Sequence, residues 1–311
     1  MRNFFIHNFV YKFHRLGFCF YSIKYYYMDY CHKQNKIVCF FRATGIGMKI
    51  LFNRVGYYEY LEIPVTTKCS LRCRHCSNLI PCYSKPGDYD IKDIIYSVKS
   101  FLECVENIVY VRLLGGEPFL YSNLYKVINV LIKSNKIQRI EIVTNGTIIP
   151  NERSLIRIMR NHKVVVCISE YPFVKYEKLV DFLKEKNINF RIDKMNFWMD
   201  YGGIEKRNKS KRELKKQYRR CHNVCKSLIN GELHLCPRSS HGTDLGIIKN
   251  NESDYVDLLD KSINLTQRRK QIHQLFKKKY IIACDYCDYG TKKSKKIPVA
   301  EQIKYVKDKK Q

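Results

Sequence analysis

Three cysteines, Cys69, Cys73 and Cys76, stand at C-x3-C-x2-C spacing in the segment KCSLRCRHCSN. Thiolates are soft ligands for zinc and for iron-sulfur clusters, and a cubane cluster normally takes four of them. Three closely spaced thiolates hold such a cluster incompletely and leave one iron open for chemistry. Structural zinc is the alternative, but it usually needs four ligands, commonly in C-x2-C pairs. Farther along, the apolar run Val109-Tyr110-Val111 leads through Arg112 into Gly115-Gly116-Glu117-Pro118. Glycines at a strand end let backbone approach a ligand closely, although Gly115-Gly116 taken alone reads as an ordinary strand-to-helix turn. A second cysteine group follows: Cys221, Cys225 and Cys236 in CHNVCKSLINGELHLCP, then Cys284 and Cys287 in ACDYC. A zinc ribbon with four thiolates is one reading of that group.

The cysteine loop followed by the glycine-rich segment, each after a strand, resembles the radical S-adenosylmethionine enzymes over roughly residues 58 to 200. The resemblance implies that Cys69, Cys73 and Cys76 hold a 4Fe-4S cluster and that Gly115, Gly116 and Glu117 hold the methionine amino group of S-adenosylmethionine. His75 takes the place where that family usually has an aromatic residue. Ser169 would hydrogen-bond the cofactor ribose, Arg191 would pair with its carboxylate, and Asn145 would join the same cofactor-binding set. Read from the residues alone, Ser169 is a strand-end cap, Arg191 a solvated arginine and Asn145-Gly146 a turn. No catalytic acid or base is legible.

The C-x9-G-x4-C arrangement of Cys221, Gly231 and Cys236, with the later C-x2-C, resembles the Twitch extension, the shorter relative of the SPASM extension. It implies one auxiliary 4Fe-4S cluster on Cys221, Cys236, Cys284 and Cys287, with Cys225 competing for the place of Cys221. The remaining cysteines, Cys19, Cys31, Cys39, Cys82, Cys104 and Cys167, read as packing or surface residues.

These groups need a frame, and the middle of the chain alternates strands with amphipathic helices. Strands are expected at 60–65, 108–114, 140–144, 164–169 and 189–192, and helices at 91–106, 123–134, 152–161 and 179–186. Such alternation implies parallel βα units, whose ligands gather at the C-terminal strand ends, where the cysteine loop, Gly115-Gly116, Asn145 and Ser169 all fall. The expected fold is α/β: a partial (β/α)6 TIM-like barrel, its sixth strand obscure, with a small C-terminal cysteine-rich auxiliary-cluster domain. Residues 1–57 form a basic, aromatic-rich extension, 58–205 the barrel, and 206–311 the C-terminal domain and basic tail. Glu232-Leu233-His234-Leu235 alternates as a strand, and Gly231 suits the hairpin turn before it.

Composition sets outer bounds. A hydrophobic content of 45% supports a packed core. Fourteen cysteines, eight of them clustered at ligand spacings, favour reduced thiolates and a cytoplasmic location. No apolar run is long enough for a membrane span, and His7, Asn8, Lys12, His14 and Arg15 interrupt any signal-peptide core. The charge of +28 is densest at 206–220. That field attracts anions, but no nucleic-acid recognition module is visible, and a solvated lysine-rich helix accounts for the run. Ile6, Phe9, Val10, Phe13 and Phe20 make an apolar stripe that packs on the barrel or lies on a membrane surface.

The expected activity is that of a radical S-adenosylmethionine oxidoreductase acting on a small molecule such as a carbohydrate or aminocyclitol, with a reductant such as flavodoxin or ferredoxin. A ribosomal-peptide-maturing enzyme and a nonenzymatic metal-binding module for nucleic acid are the alternatives.

Overall fold

The computed structural model describes residues 56–221 and 225–303, with isolated positions between 41 and 49. The apolar stripe at 6–20 and Cys19, Cys31 and Cys39 lie outside the described residues. Five strands, β1 (Tyr57–Thr66), β2 (Asn107–Gly115), β3 (Ile137–Thr144), β4 (Val164–Glu170) and β5 (Phe190–Lys194), pair in parallel in consecutive order. Four helices connect them: α1 (Ile91–Cys104), α2 (Leu124–Ile132), α3 (Arg153–Met159) and α4 (Glu177–Glu185). This is the largely parallel frame expected of a partial βα barrel.

Each element follows from its residues. In α1, Ile94, Val98, Phe101 and Cys104 are buried on one face, and the Asp90 carboxylate caps the start by accepting from the backbone N–H of Lys92 at 2.6 Å. The strands are buried on both sides, so they read as apolar runs on the face that meets the helices: Leu61, Ile63 and Val65 in β1, Ile140 and Ile142 in β3, and Val166 and Ile168 in β4. Cys104 and Cys167 are buried and Cys82 is exposed.

The sixth unit is where the structure departs from the expected pattern. After β5, Trp198–Met199 (β6) is only two residues long and pairs antiparallel with Lys296–Ile297 (β10) near the C-terminus. The main sheet grows at its other edge instead, where β7 (Ser227–Ile229) lies parallel to β1, and β8 (Glu232–His234) and β9 (Tyr255–Asp257) continue antiparallel. Asn230 and Gly231, at φ 50° and 81°, make the two-residue turn between β7 and β8. These short strands cover the edge that an unclosed barrel leaves at β1. Around the sheet extension stand α5 (Lys211–Arg220), α6 (Pro237–Asp244) and α7 (Leu265–Phe276). The basic run is thus largely helical, opened by a capping box between Ser210 and Glu213, with Leu214 and Gln217 buried. No helix among the described residues is long and apolar enough to cross a membrane.

Candidate functional site

The loop after β1 carries Cys69, Cys73 and Cys76, and it lies against the end of β2. A Cβ on Gly116 would come within 2.0 Å of the Lys68 carbonyl oxygen and 3.0 Å of Cys69 Cβ, and one on Gly115 within 2.2 Å of the Thr66 oxygen. Only glycine allows this approach, and Gly115 also has φ 135°. The Gly116 and Glu117 N–H groups donate to the Thr66 and Lys68 carbonyls at 2.8 Å, which fixes the two loops together.

Glu117 is fully buried. Its carboxylate accepts from Thr144 Oγ1 at 2.8 Å, from the Asn145 N–H at 2.9 Å and from the Phe119 N–H at 3.2 Å. Among the described residues it has no ion pair. Burial outweighs these donors and pushes the carboxyl up to about 7. Three donors leave one of roughly four acceptor positions open, so the site suits one further cationic donor. Asn145 turns tightly into Gly146, and its Nδ2 also donates to Ser70 Oγ at 3.0 Å and approaches Cys69 Sγ at 3.7 Å. The predicted turn and the predicted site residue are therefore the same group.

The three thiols feel one another's charge in pairs, and Cys69 also feels Glu117. Burial pushes the Cys69 and Cys76 thiols up to about 11 and raises Cys73, so they ionise only with compensating positive charge. Cys69 Sγ accepts from the Leu71 N–H at 3.4 Å, and Cys73 Sγ accepts from Gln302 Nε2 at 3.2 Å. Gln302 belongs to a C-terminal strap, in which Gln302 Oε1 accepts from the Arg72 N–H and the Ile303 N–H donates to the Arg72 carbonyl, both at 2.8 Å. Sequence reading missed this strap, because the chain gives no local sign of a contact across more than two hundred residues. It also missed Tyr171, which lies near all three thiols, hydrogen-bonds Ser169 and meets Trp198 edge to face at 5.8 Å.

The other expected cofactor residues are placed less directly. His75 Nδ1 is 3.5 Å from Asp200 Oδ1 and its Nε2 4.0 Å from Glu301 Oε2. Arg191 is engaged by Glu141 at 2.5 and 3.1 Å and by Asp193 at 2.7 and 3.2 Å, so its guanidinium is held within the barrel wall. Glu141 also accepts from Arg112 Nε at 2.9 Å, and these cations hold its carboxyl below the usual range despite burial.

The second cysteine group is gathered too. Cys236 and Cys284 each feel the charges of Cys221 and Cys287. The Cys225 sulfur hydrogen-bonds the Tyr60 hydroxyl, beside Glu62 and Arg112, and Tyr201 and Tyr289 feel its charge together with those of Cys221 and Cys287. Among the described residues, no three His, Cys, Asp or Glu side chains close around a single-ion position.

Comparison with known proteins gives the frame a family. GTP 3',8-cyclase of Haemophilus influenzae (strain 86-028NP) is 30% identical over 91 residues, 29% of this chain and 26% of that one. The corresponding enzyme of Clostridium acetobutylicum is 27% identical over 125 residues, 40% of this chain and 39% of that one. The matches thus span well under half of these curated relatives. Among solved structures, BtrN in complex with AdoMet and 2-DOIA is 16% identical with a TM-score of 0.44, over 80% of this chain and 98% of that one. Native anSMEcpe with bound AdoMet is 14% identical with a TM-score of 0.46, over 74% of this chain and 83% of that one. The radical SAM superfamily description matches residues 63–260, from β1 to beyond β9, well over half of the 311 residues. The chain belongs to the radical SAM superfamily, whose enzymes use S-adenosylmethionine and a 4Fe-4S cluster.

Proposed function

We propose that the chain is a radical S-adenosylmethionine oxidoreductase whose cluster is held by Cys69, Cys73 and Cys76 and whose cofactor is gripped by Gly115, Gly116 and Glu117. The observation that carries this reading is the seating of the cysteine loop on Gly116, with the Glu117 carboxylate, which has no ion pair among the described residues, electrostatically coupled to Cys69. The donor set fits the group: three neighbouring thiols, a backbone approach that a Cβ would fill, and a buried acceptor for an ammonium. When bound, the cluster and S-adenosylmethionine would supply radical chemistry for hydrogen-atom abstraction. The chain's own contribution is positional. Glu117 and the loop backbone orient the cofactor, Tyr171 stands beside the thiols, and the Gln302 strap pairs with the cysteine loop at Arg72 and Cys73.

For the substrate, the inner face of the barrel supports a small polar molecule. Glu62, Arg112, Glu141, Arg191 and Asp193 share that face, which suits hydroxyl and amino groups of a carbohydrate or aminocyclitol. Cys221, Cys236, Cys284 and Cys287 are the ligands of an auxiliary cluster in this reading, and a reductant such as flavodoxin or ferredoxin supplies electrons. Anaerobically reconstituted protein with dithionite and S-adenosylmethionine is expected to release 5′-deoxyadenosine and methionine. Stoichiometric zinc with negligible sulfide would overturn the reading.

A further inference from the structure

The three thiols of the barrel mouth draw their hydrogen-bond donors from very different distances along the chain. Cys69 Sγ accepts from the Leu71 N–H at 3.4 Å and is approached by Asn145 Nδ2 at 3.7 Å. Cys76 has backbone donors at Ile80 and Asn78, within its own loop. The donor to Cys73 Sγ comes from 229 residues away: it is Gln302 Nε2, at 3.2 Å.

A built element delivers that donor. Residues 294–303 run along 198–200 and then onto the cysteine loop. Ser294 Oγ donates to the Asp200 carbonyl at 2.7 Å, the Asp200 N–H donates to the Lys295 carbonyl at 2.8 Å, and β10 pairs with β6. Val299 and Ala300 are buried. Gln302 then stands opposite Cys73 in an antiparallel bridge, flanked by two backbone bonds of 2.8 Å, from the Arg74 N–H to the Glu301 carbonyl and from the Ile303 N–H to the Arg72 carbonyl. Glu301 Oε1 lies 3.5 Å from Arg74 Nη1 and Oε2 4.0 Å from His75 Nε2, so the strap's carboxylate meets side chains of the loop.

The other partners of Gln302 settle how its amide points. Its oxygen accepts from the Arg72 N–H at 2.8 Å, and its nitrogen donates to the Ala300 carbonyl at 2.6 Å. A flipped amide would set oxygen against the Ala300 oxygen and NH2 against the Arg72 N–H. The second hydrogen of Nε2 is therefore the one that faces sulfur. A donor to a ligating sulfur offsets the negative charge that a cluster gains on reduction, so it raises the potential.

Resting on the barrel-cluster reading above, we propose that Gln302 is a positioning residue for the Cys73 thiolate: its amide N–H holds that sulfur and raises the midpoint of the cluster on Cys69, Cys73 and Cys76. Reduction of that cluster is thereby brought closer to the reach of an external one-electron donor. The strap makes residues 299–303 part of the barrel site, although they lie outside the span 63–260 that matches the superfamily.

A series at position 302 tests this, because strap and loop are also joined by backbone bonds that every side chain leaves in place. Two quantities are measured on the anaerobically reconstituted full chain. One is the midpoint, by potentiometric titration with electron paramagnetic resonance, of the signal that is absent when Cys69, Cys73 and Cys76 are all Ala. The other is the rate of iron loss to a chelator. Gln302→Glu keeps the acceptor for the Arg72 N–H and removes the donor, Gln302→Met removes both, and Gln302→Lys restores a donor with a positive charge. Gln302→Met is expected to change the oxidised-to-reduced ratio at fixed potential about tenfold toward oxidised, about 59 mV for one electron. Gln302→Glu should move it further the same way, and Gln302→Lys should match or exceed the wild-type midpoint. Iron should leave Gln302→Glu and Gln302→Met faster than Gln302→Lys. Midpoints or iron-loss rates that are equal in all three variants overturn the proposal, since a strap that merely packs responds to loss of the glutamine and not to the donor that replaces it. A wild type with no iron-sulfur signal from these three cysteines would instead remove the barrel-cluster reading itself.

Discussion

The two cysteine groups present the same thiols in different surroundings. At the barrel mouth, Cys69 feels the buried carboxylate of Glu117, and the neutral donors Asn145 and Gln302 approach Cys69 and Cys73. In the C-terminal region, Cys287 feels Arg238 and Lys209 as well as Asp288, and Cys284 feels Asp254. Thiolate chemistry alone does not separate the sites, since burial raises the thiols in both. What separates them is the fixed charge beside particular thiols: Cys69 feels the Glu117 carboxylate, whereas Cys287 feels Arg238 and Lys209 as well as Asp288. In the reading proposed above, the mouth would leave one iron open and receive the cofactor ammonium, and the C-terminal cysteines would hold a second cluster.

That contrast breaks most visibly by deletion. Replacing Cys69, Cys73 and Cys76 together by Ala is expected to lower iron from about eight to about four per chain. Cleavage of S-adenosylmethionine should be abolished while the C-terminal signal persists. Loss of both clusters would show that the sites are not independent.

Replacing Cys284 and Cys287 by Ala should give the converse outcome. The variant is expected to cleave S-adenosylmethionine abortively and form no product. Circular dichroism must first show a folded chain, because losing a metal site can unfold the region that it organises. Turnover at the native rate would leave the C-terminal site a structural role only.

Glu117→Gln sharpens the comparison at the mouth. Cofactor binding should weaken by about ten- to a hundredfold, in line with about 1.5–3 kcal/mol for a hydrogen bond to a charged group, with iron content unchanged. The same change has a pH signature in the metal-free protein. Burial raises the Glu117 carboxyl from 4.5 to about 7, so the native state keeps its proton where the unfolded chain has released it. This contribution is fully present below about pH 4.5 and is lost as pH rises through about 7, a change of about 3 kcal/mol. Denaturant unfolding at pH 5 and pH 8 should show it in the wild type and not in the Gln variant.

The smallest expected effect concerns the fifth cysteine of the C-terminal group. Cys221→Ala should cost iron at the C-terminal site, while Cys225→Ala, which loses a hydrogen bond to Tyr60, should leave iron content unchanged. Equal losses from both would reopen the choice between them.

Much of the frame was legible because it is local. The strand and helix positions follow from apolar periodicity, and the spans expected at 91–106 and 164–169 meet the observed Ile91–Cys104 and Val164–Glu170 within two residues. Gly231 announced the hairpin before Glu232, since glycine tolerates positive φ. The sixth strand was not legible, because its place was set by pairing with Lys296–Ile297 nearly a hundred residues away. Arg191 looked solvated or free for a ligand in the sequence, yet Glu141 on β3 and Asp193 on its own strand occupy it.

The sequence by itself determined the chemistry available: cysteines at cluster spacing, a glycine pair at a strand end and an acidic residue beside it. These are short-range facts, written in residue type and separation. Tertiary structure alone decided which charges those groups meet, because Glu117 reaches Cys69 across a loop-to-loop contact and Lys209 reaches Cys287 across 78 residues of chain. Coulomb interaction depends on distance and burial, and neither is a property of sequence separation.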